Sequence, residues 1–295
     1  MVREALKHEF LLDTLLSLAA FDMAVEAGGQ TDAAEYYAGA ALDYYDRAVR
    51  GFTALVGAET EENHLAMFGF VSNSLMLCFV VPRFRAAAAD DDENAHASGP
   101  GRRTLGLVFD ARPTLQAVTQ RCWSWLQKSP VHLDAFLRQN LPYSELSTDV
   151  RQSMARLICV NDDYKSQRMA SNAPETSPDL DHESYESAIM QLEGIFARDI
   201  DGTVKGTVIT WTLLVDARFV ANFTGSDPMA LLIAMHWGVL VNDLGKLAWW
   251  ASHAGSDLIA ELSALLQSSA WASSPMWQES IAWTREKVGL PGIIR

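Results

Sequence analysis

The sequence predicts an all-α protein, and three observations carry that expectation. Apolar residues recur at three- and four-residue spacing through most of the 295 residues, the period of a helix with one buried stripe. No run of strict apolar–polar alternation appears, so half-buried strands have no support. Two polar stretches interrupt the periodic segments, and both carry proline, a residue that helices avoid in their interiors.

Taken in order, the first helix runs from Phe10 to Ala27 and ends at Gly28-Gly29, since glycine relieves the left-handed cap conformation. Thr31 or Asp32 caps the next, about 32–56, in which Tyr36-Tyr37 and Tyr44-Tyr45 recur at a spacing of eight. A third helix spans about 61–81 and stops at Pro82. An exposed loop follows over about 83–104, where an acid run, DDDE (90–93), precedes Gly and Pro. Helices resume at about 112–128, 130–139 and 147–160. A second polar loop is expected at about 161–182. Five more helices follow, at 183–198, 205–223, 227–252, 255–268 and 275–287. The segment 205–223 is rich in β-branched residues, which favour strands, but its length and its helical neighbours assign it to helix. Neither loop separates two segments with independent cores, so the expectation is a single all-helical domain over 1–295.

Composition narrows the function. The chain is 49% hydrophobic and 20% charged, an ordinary globular balance, with a formal net charge of −14. That charge repels phosphate backbones, so direct nucleic-acid binding is not expected. Cys78, Cys122 and Cys159 lie far apart with no ligand spacing, which reads as reduced thiols in an intracellular protein. The first residues lack the pattern of a secretory signal. The apolar run 229–241 is about half of a bilayer span. A soluble, cytoplasmic protein is expected, or a nuclear one if it is a regulator.

Several segments taken together resemble the C-terminal regulatory domain of fungal zinc-binuclear-cluster transcription factors, particularly the sterol-uptake-regulator-like group. They are HEFLLDTLLSLAAFDMA (8–24), AAEYYAGAALDYYDRAVRGFTAL (33–55), ENHLAMFGFVSNSLML (62–77), YESAIMQLEGIF (185–196), WTLLVDARFVANFTGSDPMALLIAMHWGVLV (211–241) and LAWWASHAGSDLIAELSALL (247–266). The resemblance covers nearly the whole chain, in order and spacing. It implies an all-helical sensor body enclosing a lipid-like ligand, and it leaves the oligomeric state open, a homodimer being one alternative. Two features depart from the family: no cysteine-rich zinc cluster is present, and Asp22 stands where the family has a histidine in its first helix.

The polar residues set in apolar helices are the candidates for chemistry. On 227–252, His236 and Asp243 share a face with Met229, Leu232, Leu240, Leu247 and Trp250, about 10 Å apart by helical rise. That separation suits two groups flanking a bound molecule. Met235, Val239, Asn242, Lys246 and Trp249 form the adjacent face. The plainer reading makes Asp243 and Lys246 a surface pair and His236 a satisfied core histidine. Asp22 shares a face with Leu11, Leu15 and Leu18, and Asp216 follows Val215 in another apolar helix. A carboxyl in an apolar cavity has a raised pKa, which suits general acid–base work; the plainer reading is a structural carboxylate bonded to a helix end or an Arg. His64 and Phe68 share a face with Val71, Leu75 and Cys78. Trp211, Trp249 and Trp250, with Met235, Phe68 and Asn242, make a candidate ligand wall. Cys122 lacks an elbow motif to support a nucleophile paired with His236.

Other motifs fail. There is no GxGxxG and no phosphate-binding loop. DDDE (90–93), NDDYKS (161–166) and NDLGK (242–246) superficially resemble the metal motifs of terpene cyclases, but they lack the context, so neither metal nor cofactor is expected. The functional expectation is a cofactor-free enzyme of secondary metabolism that cyclises or isomerises a polyketide- or terpenoid-like substrate, with Asp22, Asp216, His236 and Asp243 as the catalytic groups. The competing reading is a ligand-sensing regulator or co-regulator that acts through other proteins.

Overall fold

Helical periodicity becomes helix wherever the chain is described. The computed structural model describes residues 2–28, 31–88, 99–128, 145–170, 177–197 and 207–292, and among them every regular element is helical. Packing groups the chain into two compact units: Met1–Ser98 with Arg103–Asp134, and Gly99–Arg102 with Ala135–Arg295. The chain passes between the two sets at 98/99, just before the helix Pro100–Leu126, at 102/103 inside that helix, and at 134/135, outside the described residues.

The first unit holds α1 (Val2–Ala5), α2 (Glu9–Ala27), α3 (Asp32–Thr53), α4 (His64–Ala88) and α5 (Pro100–Leu126) from residue 103 onward. Helices α2 and α3 pack most extensively. Gly28, at φ 65°, ends α2 as expected, and the Thr31 hydroxyl accepts the Ala34 N–H to start α3. The buried side of α2 carries Phe10, Asp13, Thr14, Ser17 and Phe21. That face is rotated from the expected one, and Asp13, not Asp22, is its buried carboxylate. Gly51 lets α3 approach, since a Cβ there would lie 2.8 Å from the Cβ of Phe10. Phe52 and Phe70 stack behind it, centroids 4.0 Å apart.

Helix α4 corrects the expected stop at Pro82: it runs through the proline to Ala88. Leu77, Phe79, Val80 and Val81 are all buried just before it. Burying each is worth roughly 1.5–3 kcal/mol, which together outweighs the ~3 kcal/mol cost of a helical proline. Helix α5 likewise runs through Pro113 and fills 100–111, which had no expected helix. The expected loop 83–104 thus contracts, with its acid run 90–93 outside the described residues, as is the expected helix 130–139.

The second unit holds α6 (Thr148–Ala170), α7 (Pro178–Phe196), α8 (Thr207–Leu214), α9 (Ala217–Thr224), α10 (Pro228–Gly245), a 3-10 turn at Trp249–Ala251, α11 (Ala254–Gln267), a second at Ala270–Ser273, and α12 (Pro275–Lys287). The expected loop at 161–182 is helical up to Ala170 and again from Pro178. Its polar residues face one another across the two helices: Asp162 with His182 at 2.8 Å, and Lys165 with Asp179 at 2.8 Å. Helix α10 is the axis of this unit, with every residue from Met229 to Val241 buried. Asp227 caps it, accepting the Met229 and Ala230 N–H groups, and Pro228 supplies the first helical position.

Helix α11 packs on α10 at near-backbone contact. A Cβ on Gly255 would lie 2.3 Å from both the Asn242 nitrogen and the Gly238 oxygen. Only glycine permits that approach. Helices His64–Arg85 and Pro228–Gly245 are apolar and long enough to cross a membrane, yet 72% and 78% of them is buried within the protein, as core helices are.

Candidate functional site

A cavity of about 280 Å³ opens in the second unit beside α10. Val239 and Leu240 of α10, Val150 of α6, Phe196 of α7 and Trp283 of α12 give it apolar walls. Asp243, one turn beyond Val239, brings a carboxylate to it, and Lys287, one turn beyond Trp283, an ammonium. Glu145 and Ser147, just before α6, complete the polar part. The i,i+4 repeat on both helices explains the arrangement: each presents an apolar residue inward and a charged one toward the helix end.

Trp283 meets a neutral ring and a cation. The His236 ring stacks on it at 5.3 Å, and Lys287 Nζ lies 5.7 Å from the ring centroid. Lys287 also pairs with Asp149, whose carboxyl this ammonium, helped by the Ser147 hydroxyl, holds down at about 2. The indole N–H of Trp283 is buried with no acceptor among the described residues.

His236 is behind this wall, not in the cavity. Its exposure is 0%. Nδ1 lies 2.8 Å from the Leu232 carbonyl, which can only accept, so Nδ1 carries the proton and Nε2 accepts from the Ser153 hydroxyl at 3.2 Å. Burial pushes the imidazole down to about 4. Both nitrogens are occupied and neither meets solvent. The satisfied-core reading of His236 replaces the catalytic one.

Asp216 is corrected in the same way. The expected helix 205–223 is two helices, α8 and α9, and Asp216 is the cap between them. Its Oδ1 accepts the Phe219 N–H and the Ser184 hydroxyl, each at 2.7 Å. Asp22 is half-buried in the first unit, while His236, Asp216 and Asp243 belong to the second. Of the four expected catalytic groups, only Asp243 borders the cavity, and it also pairs with Lys246 at 2.6 Å.

The expected ligand wall disperses too. Trp211 and Met235 are fully buried, and the Trp211 N–H is spent on the Ala188 carbonyl. Trp249 and Trp250 are partly exposed in the 3-10 turn, because α10 ends at Gly245 and the expected face does not continue to them. Asn242 packs its backbone on Gly255. Phe68 is a core residue of the first unit. Burial raises the Cys122 thiol to about 11, so it is no thiolate, and it lies in the other unit from His236.

Sequence reasoning missed Trp283, Lys287, Phe196, Val150 and Glu145. One signal existed, the spacing of four between Trp283 and Lys287. The contribution of α7 and α6 had none, because it depends on how the helices pack.

A second buried polar cluster is fully satisfied. Asp181, 5% exposed, accepts from Arg168, Arg218 and Asn222 at 2.9–3.0 Å. Burial alone would raise its carboxyl, but the bonds from Asn222 and Arg218 and the Arg168 charge hold it below the usual range. Tyr164 donates to Asp227 at 2.7 Å, and burial foremost, then the Asp227 charge, pushes its hydroxyl far up. This cluster ties α6, α7, α9 and the start of α10 together. In the first unit, a cleft of about 450 Å³ beside α2 is larger than the α10 cavity. Its lining is mostly charged, with Asp13 and Arg47 already bonded to each other, and Phe10 and Leu55 are its apolar side chains. It is also the more open of the two.

No protein-family profile matches this chain, and neither a curated protein nor a solved structure is significantly similar to it. The likeness to fungal regulatory domains rests on the quoted sequence segments alone.

Proposed function

We propose that the chain is a helical small-molecule-binding domain that holds an apolar molecule in the cavity between α10 and α12, and that it holds this molecule without transforming it. One observation carries the reading: among the groups suited to proton transfer, Asp216 and His236 are committed to structural bonds, while Val239, Leu240, Phe196 and Trp283 remain to enclose a ligand. Acid–base catalysis needs at least one positioned donor or acceptor touching the reacting atoms, and of the four expected groups only Asp243 borders the cavity. The resemblance to ligand-sensing regulatory domains favours the same use.

The cavity is at the small end of ligand pockets, which run from roughly 300 to 1,000 Å³. It suits one ring or a short branched chain, such as a single terpenoid or polyketide fragment, more than a fused steroid.

The test is a titration of the purified chain with a panel of small apolar alcohols and acids, followed by calorimetry and by mass spectrometry of the recovered ligand. Saturable binding, abolished by the cavity-filling Val239→Phe and returning the ligand unchanged, is the expected result. Recovery of a rearranged ligand, with turnover lost in Asp243→Asn, would establish the cyclase or isomerase reading in its place.

A further inference from the structure

Within that binding reading, we infer that the α10–α12 cavity selects an organic cation: a molecule with a small apolar body and a protonated amine. The walls fix the body. Phe196, Val239, Leu240 and Trp283 enclose it. The charged residues at the mouth fix the head group, and their commitments differ.

Lys287 is the ammonium of the lining, and it is already engaged twice. It pairs with Asp149 and lies against the Trp283 ring. An incoming carboxylate would compete with Asp149 for it. Glu145 is exposed and has no partner among the described residues. Asp243 pairs with Lys246 within its own helix turn, and the two side chains are 48% and 66% exposed. An exposed pair of that kind is worth little and yields readily to a better-placed cation. The uncommitted charge facing the cavity is therefore negative. The chain's −14 balance adds a long-range attraction of the same sign.

The probes are three molecules of one shape: 3-phenylpropylamine, 3-phenylpropan-1-ol and 3-phenylpropanoate. Each is titrated into the full chain by calorimetry, at low and at high salt. The indole N–H resonance of Trp283, assigned through Trp283→Phe, reports occupancy of the cavity. The amine is expected to bind about five- to tenfold more tightly than the alcohol, the ratio one or two exposed charge contacts supply. The carboxylate binds more weakly than the alcohol. High salt and the double variant Glu145→Gln/Asp243→Asn both bring the amine down to the alcohol. Both substituted residues are at the surface, so an unchanged unfolding midpoint confirms that the variant is folded.

Alcohol and amine binding equally, or the carboxylate binding best, overturns the cation assignment and leaves the cavity reading standing. No shift of the Trp283 resonance with any of the three removes the cavity reading itself.

Discussion

The imidazole of His236 lies nearly parallel to the indole of Trp283, with ring centroids 5.3 Å apart and planes 18° apart. The Leu232 carbonyl and the Ser153 hydroxyl fix the imidazole from the other two directions, so helices α6, α10 and α12 meet on one neutral ring. A proton on that ring would be buried beside the cationic Arg156, which adds to the desolvation that lowers its pKa to about 4. The unfolded chain binds the proton near pH 6.5. Stability is therefore full above pH 6.5 and falls as pH drops from 6.5 toward 4. The sequence pI of about 4.8 makes pH 5.5 the practical lower point. Between pH 7.5 and 5.5 this one group should remove about 1 kcal/mol. Urea unfolding should show that loss in the native chain and not in His236→Gln; equal losses in both would assign the acid sensitivity elsewhere.

Asp216 and Asp243 are separable by what each variant disturbs. Asp216 caps α9 and anchors it to Ser184 of α7. Asp216→Ala should cost about 1–2 kcal/mol, the usual worth of a cap, with ligand affinity unchanged once the protein is folded. Asp216→Ser should recover most of that, because its hydroxyl can still accept the Phe219 N–H. Asp243→Asn should change stability by less than about 1 kcal/mol, as loss of an exposed pair does, while weakening an amine ligand. Denaturant melts set beside calorimetric titrations of both variants check the two halves of this contrast.

The sequence made the helices legible and left the site largely hidden, for a physical reason. Residues 229–241 are apolar all round, and the structure buries them all round, so a face drawn through His236 and Asp243 had no meaning in the folded chain. Proline was a poor guide to helix ends. Pro82 and Pro113 are inside helices held by packing, while the real break between α8 and α9 falls at Val215-Asp216, where a capping carboxylate was the only sign. His236 and Asp216 were legible as buried or structural polar groups, since such groups find partners. Their partners, Ser153 and Ser184, were not, because each comes from a helix distant in sequence. Trp283 and Lys287 were visible as a pair at helical spacing, but only packing shows that the pair borders a cavity.

Glycines inside helices separate into those that packing requires and those it does not. Gly255 lets α11 rest on the α10 backbone, and a Cβ there would meet Asn242 and Gly238 at 2.3 Å. Backbone cannot step aside as a side-chain end can. Gly255→Ala should destabilise by roughly 3 kcal/mol or more, in the range of severe overpacking. Gly194, in the last turn of α7, has nothing within 4 Å of its Cβ position. Gly194→Ala should stabilise by about 0.5–1 kcal/mol through helix propensity alone. Both residues belong to the second unit, so one unfolding signal from its tryptophans measures both.

The buried carboxylate of the first unit offers a test by order of stability. Asp13 is 5% exposed, and Arg47 reaches it with Nη2 at 2.8 Å and Nε at 3.2 Å. A forked pair satisfies both carboxylate oxygens, so the arginine answers for a charge largely shielded from water. Arg47→Met keeps the aliphatic stem but strands that charge. Asp13→Leu/Arg47→Met removes the charge together with its partner and leaves apolar groups in its place. Stranding one member of a buried pair costs more than replacing both. The single Arg47→Met variant should therefore unfold at lower denaturant than the double variant, despite carrying fewer changes. A double variant that unfolds first would mean that Asp13 is solvated without Arg47 and that the pair does not organise the α2–α3 contact.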